Sequence, residues 1–164
     1  MAVAKPLAPF PPRTFLARHR QDELDALFAT LPAPRKNELQ GDYQGTLLGI
    51  SGLSSLPGVI KSGLYRLLAS WLNPWQGKHF DASNGANLWG LGTLQGAWGQ
   101  YRIEDRQDSD ALALDYDVEG NPALLRPILG EVRYFQDALY LARMRYRTRR
   151  GTRTLLYFTL QKTR

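Results

Sequence analysis

The chain has no cysteine among its 164 residues. This absence excludes disulfide scaffolds, thiolate nucleophiles, iron–sulfur clusters and cysteine zinc sites. Histidine is almost as scarce, and neither His19 nor His79 has a carboxylate beside it at the spacing of a zinc site. We therefore expect neither a metal site nor a cofactor, and we interpret His79 as a partly exposed strand residue.

Long apolar runs are also missing. No run approaches the roughly 18 to 20 apolar residues that span a bilayer. Residues 1–13 are broken by prolines and lack the apolar core of a signal peptide, which favours a cytoplasmic protein. We interpret residues 1–20 as a proline-rich arm and residues 21–164 as a single domain, long enough to bury a sizeable core.

The net charge is +6, so a polyanionic partner has to be weighed. The charge is segregated, with an acidic stretch over residues 104–119 and arginines at alternate positions of residues 143–149. Such a stripe suits phosphates, either of nucleic acid or of an anionic membrane surface. No nucleic-acid motif accompanies it, which makes nucleic acid the less favoured partner. The favoured interpretation is an outer strand face, paired with Asp115 and Asp117.

Two helical patterns interrupt a sequence that otherwise alternates like strands. Residues 21–30 place Leu24, Leu27 and Phe28 on one stripe, and prolines end the pattern. Residues 56–72 carry apolar side chains at three- and four-residue spacing, with serines before them and Pro74 after them. We predict an N-terminal helix at the first pattern and a helical lid, between strands one and two, at the second.

The remaining sequence alternates between apolar and polar residues in about eight segments. Asn84-Gly85, Gln95-Gly96 and Arg150-Gly151 are predicted to be the hairpin turns. Strands in up-and-down order with short connections favour a closed antiparallel barrel over a sandwich, so the predicted fold class is mainly β. The predicted strands are residues 39–49, 75–81, 87–94, 97–103, 110–118, 131–135, 139–149 and 152–162.

Short motifs accompany this arrangement. Strand one opens with Gly41-Asp42-Tyr43, a helical connection follows, and the meander ends in a long hairpin. In these features residues 39–162 resemble the calycins, the superfamily of lipocalins and fatty-acid-binding proteins. The order Gly41-x-Tyr43 and then Trp75-x-Gly77-Lys78-x-Phe80 is also similar to a bacterial family known by its G-x-W-x-x-x-G motif. Here Tyr43 stands in place of the motif's tryptophan and Leu47 in place of its last glycine.

The calycin resemblance implies a function. Calycins bind lipids, retinoids, pigments or other apolar molecules inside the barrel, and some bacterial members are cyclases or isomerases. The resemblance implies binding or carriage of a hydrophobic or amphipathic, lipid-like molecule, with a cyclase or isomerase as one alternative. Binding of nucleic acid or of an anionic surface through the arginine stripe is another. Residues 49–52 and 90–96 miss the serine-hydrolase and dinucleotide patterns, which favours binding over catalysis.

The candidate ligand-binding residues are mostly aromatic, because tyrosine and tryptophan can stack on a ligand and orient it with their polar end. The same side chains would also fill a solid barrel. Lys78 has three interpretations: a cation for an acidic head group, an amine of lowered pKa, or a solvated strand lysine, which is favoured. Trp89 and Trp98 share strand faces with polar residues, so each lines a polar cavity or faces water. The candidates are Tyr43, Leu64, Leu68, Trp71, Lys78, Phe80, Trp89, Trp98, Tyr101, Tyr116, Tyr134, Tyr140, Met144 and Tyr146.

Overall fold

The computed structural model shows a closed antiparallel β-barrel with a helix packed on its outer wall. It describes residues 16–50, 58–59, 62, 75–91, 94–106 and 109–163, except for the side chains of 49, 50, 89, 91 and 94–98. Within these residues, no helix has the length and apolar character needed to cross a membrane. Helix α1 and strands β1 to β8 are, in chain order, Gln21–Thr30, Gly41–Ile50, Trp75–Phe80, Asn84–Leu91, Leu94–Asp105, Leu112–Asp115, Ile128–Gln136, Leu139–Thr148 and Gly151–Lys162.

The barrel closes through the pairing of its first and last strands. Each strand pairs with its neighbours in the chain, and β1 pairs with β8. Gly45 lies opposite Leu160 and Leu47 opposite Phe158, before a bulge between Leu47 and Gly49. Closure leaves none of the eight strands as an edge for pairing with another chain. The predicted eight-stranded, up-and-down antiparallel barrel is therefore confirmed.

Alternation along β7 separates the interior of the barrel from its outer surface. Successive side chains of a strand point to opposite faces, so every second residue enters the core. The interior members are Tyr140, Ala142, Met144 and Tyr146, and the arginines of the outer face are Arg143, Arg145 and Arg147. The sequence predicted this division, and the structure confirms it.

Helix α1 lies against the outer wall of β7 and β8. At its first turn, the backbone N–H of Arg20 donates to Oε2 of Glu23 at 2.7 Å. Leu24 and Phe28 are buried against that wall. The Phe28 ring meets Tyr157 edge-on, with their centroids 6.0 Å apart. The helix occupies the same residues as the sequence pattern and covers the barrel wall rather than its interior.

The barrel has two ends that we name by β2. Gly41 pairs with Phe80 and Gln44 with Gly77, so β1 and β2 are antiparallel. The upper end is where β1 ends and β2 begins, and the lower end is where β2 ends and β3 begins. The predicted lid, residues 56–72, lies between β1 and β2 in the chain. Residues 58, 59 and 62 are helical, and the rest of the lid falls outside the described residues.

The predicted turn at Asn84-Gly85 is wrong. Both residues belong to β3, and the chain reverses at residues 81–83, where the N–H of Asp81 donates to the carbonyl of Asn84 at 2.8 Å. Gly85 is required for space, since a Cβ there would lie 2.4 Å from the Tyr101 ring and from the carbonyl oxygen of His79. The glycine therefore marks a close approach between neighbouring strands and an aromatic side chain.

Strand boundaries differ from the sequence pattern in the middle of the chain. Gln95 and Gly96 were predicted to form a turn, but they lie within β4, where Gln95 pairs with Gly90. Strand β5 is shorter than its alternating pattern and spans Leu112–Asp115. The turn prediction failed because a polar residue followed by glycine is compatible with a strand whose partner packs closely against it.

Removal of the Phe28 ring tests whether α1 is part of the cooperative fold. Phe28 is 1% exposed. We expect Phe28→Ala to lower the free energy of unfolding by about 3 kcal/mol, because the ring's apolar contacts are lost and a cavity remains. Urea unfolding followed by circular dichroism measures this change, with the exposed Ala29→Ser as control. Equal free energies for Phe28→Ala and the wild type would show that α1 is not needed for barrel stability.

Candidate functional site

Lys78 lies inside the barrel. The two-residue period of β2 places Lys78 and Phe80 on the interior face and His79 on the outer face. Only 1% of the Lys78 surface is exposed. The favoured interpretation of Lys78 as a solvated strand lysine is therefore wrong, because the period that buries Phe80 buries Lys78 with it.

The Lys78 amine has two polar partners in the interior. Lys78 and Asn87 lie opposite each other on β2 and β3, and Nζ donates to Oδ1 of Asn87 at 2.6 Å. Nζ also forms a short hydrogen bond with the hydroxyl of Tyr116, which follows β5 directly. The Tyr116 hydroxyl lies 3.2 Å from the same Asn87 oxygen. Lys78, Asn87 and Tyr116 thus form a closed hydrogen-bonded group, which we call the amine triad.

Aromatic rings surround the amine triad. Nζ of Lys78 lies 4.9 Å from the ring centroid of Tyr101, 5.2 Å from that of Tyr116 and 5.5 Å from that of Phe158. An ammonium group within about 6 Å of an aromatic face is attracted by the ring quadrupole. The faces of Tyr101 and Phe158 therefore stabilise positive charge at Nζ, and all three rings exclude water from it. Tyr116 contacts Nζ through its hydroxyl rather than through its ring face.

Burial changes the proton affinity of the triad. It lowers the pKa of Lys78 to about 7, because the charged amine loses its hydration. Burial also raises the pKa of Tyr116 and of Tyr101, whose charged forms are the deprotonated ones. Within the described part of the chain, no carboxylate forms an ion pair with Lys78 to oppose this effect. Near neutral pH the amine gains and loses its proton while both phenols keep theirs.

Lys78 keeps hydrogen bonds to both of its polar partners in either protonation state. When the amine is neutral, it donates to Asn87 and its lone pair accepts the hydroxyl proton of Tyr116. When it is protonated, it donates to both partners, and the Tyr116 hydroxyl turns to Oδ1 of Asn87. The same geometry therefore supports a nucleophilic amine and a buried cation.

The lower end of the barrel is filled by aromatic rings. Tyr43 lies edge-on to Phe80 at 5.3 Å and to Tyr140 at 5.9 Å, measured between centroids. Phe80 also contacts Tyr101, and Tyr134 contacts Tyr140. Because these five predicted site residues pack against one another, they form a layer of aromatic rings below the amine triad.

Above the triad, the interior is lined by an indole and by side chains of β7. The Trp75 ring is edge-on to Phe158 at 5.4 Å and lies against Gly45, where a Cβ would be 2.1 Å from the indole. Met144 and Tyr146 are buried in the same interior cluster. Glycine at position 45 therefore makes room for the indole at the level of the barrel wall.

The structure brings nine of the fourteen predicted site residues into one interior cluster or its margin, with Lys78 and Tyr116 at the centre. Leu64, Leu68 and Trp71 lie outside the described residues, as do the side chains of Trp89 and Trp98. Sequence reasoning missed Asn87 and Phe158 as neighbours of the amine. Asn87 lies opposite Lys78 because of the register between β2 and β3, which no sequence signal placed.

Three arginines of the stripe, Arg143, Arg145 and Arg147, lie on the outer wall and are ion-paired. Nε of Arg143 lies 2.5 Å from Glu131, and Nη1 of Arg145 lies 3.5 Å from the same carboxylate. Arg147 binds Asp115 at 3.1 Å. The expected pairing with Asp115 is confirmed, whereas Asp117 contributes its backbone oxygen to Arg102.

Comparison with known proteins supports the fold. The chain is similar to a protein from Thermomonospora curvata that has a crystal structure. The two sequences are 17% identical, and the TM-score of the superposed structures is 0.62. The match covers 89% of each chain. No protein-family model and no curated protein matches the sequence. At this identity the likeness shows a shared barrel fold and leaves function to be argued from the amine triad.

The lowered pKa of Lys78 predicts how stability depends on pH. The unfolded lysine binds a proton that the folded one lacks above a pH of about 7, so stability rises with pH there. Between about pH 7.5 and 9.5, the free energy of unfolding should increase by up to about 1.4 kcal/mol per pH unit relative to Lys78→Met. Urea unfolding at several pH values measures the difference. Parallel curves for the two proteins would show that Lys78 keeps its proton.

Proposed function

We propose that the protein binds a hydrophobic or amphipathic small molecule inside the barrel, with the polar end of the ligand at Lys78. The observation that carries this proposal is an amine 1% exposed within an aromatic interior. A buried ionisable group costs stability, and an apolar side chain of similar size would fill the space without that cost. Ionisable groups whose pKa is perturbed in this way cluster at functional sites.

The donors of Lys78 suit the polar end of such a ligand. A protonated lysine has three N–H donors, and the described contacts use two of them, toward Asn87 and Tyr116. A ligand oxygen accepts the third, and the apolar body of the ligand lies against rings such as Trp75 and Phe158. Few polar groups in a largely apolar lining are typical of small-molecule sites.

Membership of the calycin superfamily is part of this proposal. It is supported by the strand order, by the motifs around Gly41 and Trp75, and by the position of the amine on the interior face of β2. In such barrels the ligand is enclosed by the strands. We favour a carrier that releases its ligand unchanged over a cyclase or isomerase, since the sequence carries no catalytic signature.

The outer arginines weigh against nucleic acid as the ligand. Glu131 and Asp115 pair with Arg143, Arg145 and Arg147. Phosphates would have to compete with these carboxylates for the guanidinium groups, which reduces the gain from binding. The barrel interior is therefore the better candidate for the binding site.

Mass spectrometry and displacement titrations test the proposal. Native spectra and organic extracts of the purified protein should show a co-purified apolar molecule or an empty barrel that takes up 1-anilinonaphthalene-8-sulfonate. Dodecanoate should displace this dye from the wild type. Lys78→Met should weaken dodecanoate binding by about tenfold to a hundredfold, because one charge-assisted hydrogen bond is lost.

The matched controls separate the amine from general effects. Lys162 is exposed, so Lys162→Met should bind dodecanoate as the wild type does. 1-Dodecanol has no charge, so Lys78→Met should change its binding less than that of dodecanoate. A wild-type protein that contains no ligand and takes up neither dye nor dodecanoate would contradict the proposal.

A further inference from the structure

We propose that Lys78 forms a reversible imine with the aldehyde or ketone group of an apolar ligand, and that Tyr116 exchanges protons with the reacting atoms. This inference rests on the proposed function, because the ligand must enter the barrel. It goes further by naming the carbonyl group as the ligand's reactive end and by naming the bond that holds it.

The geometry of the amine triad suits a nucleophile. Imine formation requires a nitrogen with a free lone pair, so a protonated lysine does not react. The Asn87 oxygen accepts an N–H of Lys78 at 2.6 Å and fixes the orientation of the amine. In the neutral amine the lone pair accepts the Tyr116 hydroxyl proton, so the hydroxyl has to turn from Nζ to the carbonyl oxygen when the nitrogen adds to the carbonyl carbon. The lowered pKa of Lys78 provides the neutral amine near pH 7.

The covalent step balances without an external reagent. Nζ of Lys78 adds to the carbonyl carbon, the carbon–oxygen π bond breaks, and the Tyr116 hydroxyl protonates the oxygen. Nζ then returns a proton to the Tyr116 oxygen, which gives a neutral carbinolamine. A second transfer from Tyr116 expels the hydroxyl group as water, and the nitrogen lone pair forms the C=N bond. Deprotonation of the iminium by the Tyr116 oxygen leaves an imine, water and the original phenol.

The surroundings of Nζ stabilise the protonated imine, the iminium from which the neutral imine forms. A protonated imine is a cation, and the rings of Tyr101 and Phe158 lie within 5.5 Å of the nitrogen. Its N–H retains the Asn87 oxygen as acceptor. Exclusion of bulk water slows hydrolysis back to the amine. An exposed lysine of this chain, such as Lys162, has none of this support.

Reductive trapping tests the inference on the wild-type protein. Incubation with dodecanal and sodium cyanoborohydride converts an imine into a stable secondary amine, which intact-mass spectrometry and peptide mapping locate. We expect one alkyl chain per protein, on Lys78, at a rate that rises with pH through about 7. Adducts spread over Lys36 and Lys162, with Lys78 unmodified, would overturn the inference.

Two variants sharpen the test. Tyr116→Phe should slow adduct formation on Lys78 by on the order of a hundredfold, as loss of a general acid does, while Lys162→Met should not change it. An unchanged rate in Tyr116→Phe would overturn the role of the phenol. If Lys78 stays unmodified while dodecanoate still displaces the dye, the imine is wrong and the barrel site stands. If Lys78 stays unmodified and dodecanoate does not displace the dye, the proposed function fails as well.

Discussion

The buried amine of Lys78 is the constraint on which the interior depends. A lysine enclosed by a closed barrel has to find hydrogen-bond partners or lose its charge, and Lys78 does both. The pairing of β1 with β8 encloses the site, and the register of β2 with β3 sets Asn87 opposite the amine. Tyr116 completes the group from the end of β5. The strands thus act as a frame that fixes three polar atoms.

Positively charged side chains have different partners on the outer wall of the barrel and in its interior. On the outer wall, Glu131 and Asp115 neutralise arginines that remain partly hydrated. In the interior, Lys78 faces a phenol, an amide and aromatic rings. Carboxylates raise the pKa of a neighbouring base, whereas at Lys78 the rings and neutral dipoles do not offset the loss of hydration that lowers it. The interior lysine is therefore the group whose chemistry can change near neutral pH.

Much of the fold was predictable because apolar and polar residues alternate with a two-residue period within each strand. The alternation of β7, the helix at Gln21–Thr30 and the eight-strand order follow from patterns within short segments. The site was harder to predict from the sequence, since its geometry depends on the register between strands. Lys78 shares the parity of Phe80, yet its hydrophilic character favoured water in the sequence argument. Asn87 reaches the amine through the register of β2 with β3, and Gly85 leaves space for the ring of Tyr101. Both are tertiary effects that no local pattern contains.

The most direct test of this account is the titration of Lys78 itself. Heteronuclear NMR follows the Cε resonance of each lysine with pH, and the Lys78→Met spectrum assigns the signal. Because burial lowers the pKa of Lys78, its signal should titrate with a midpoint near pH 7. A midpoint at the usual lysine value of about 10.4 would contradict it, because the amine would then be a permanent cation with no nucleophilic form at neutral pH.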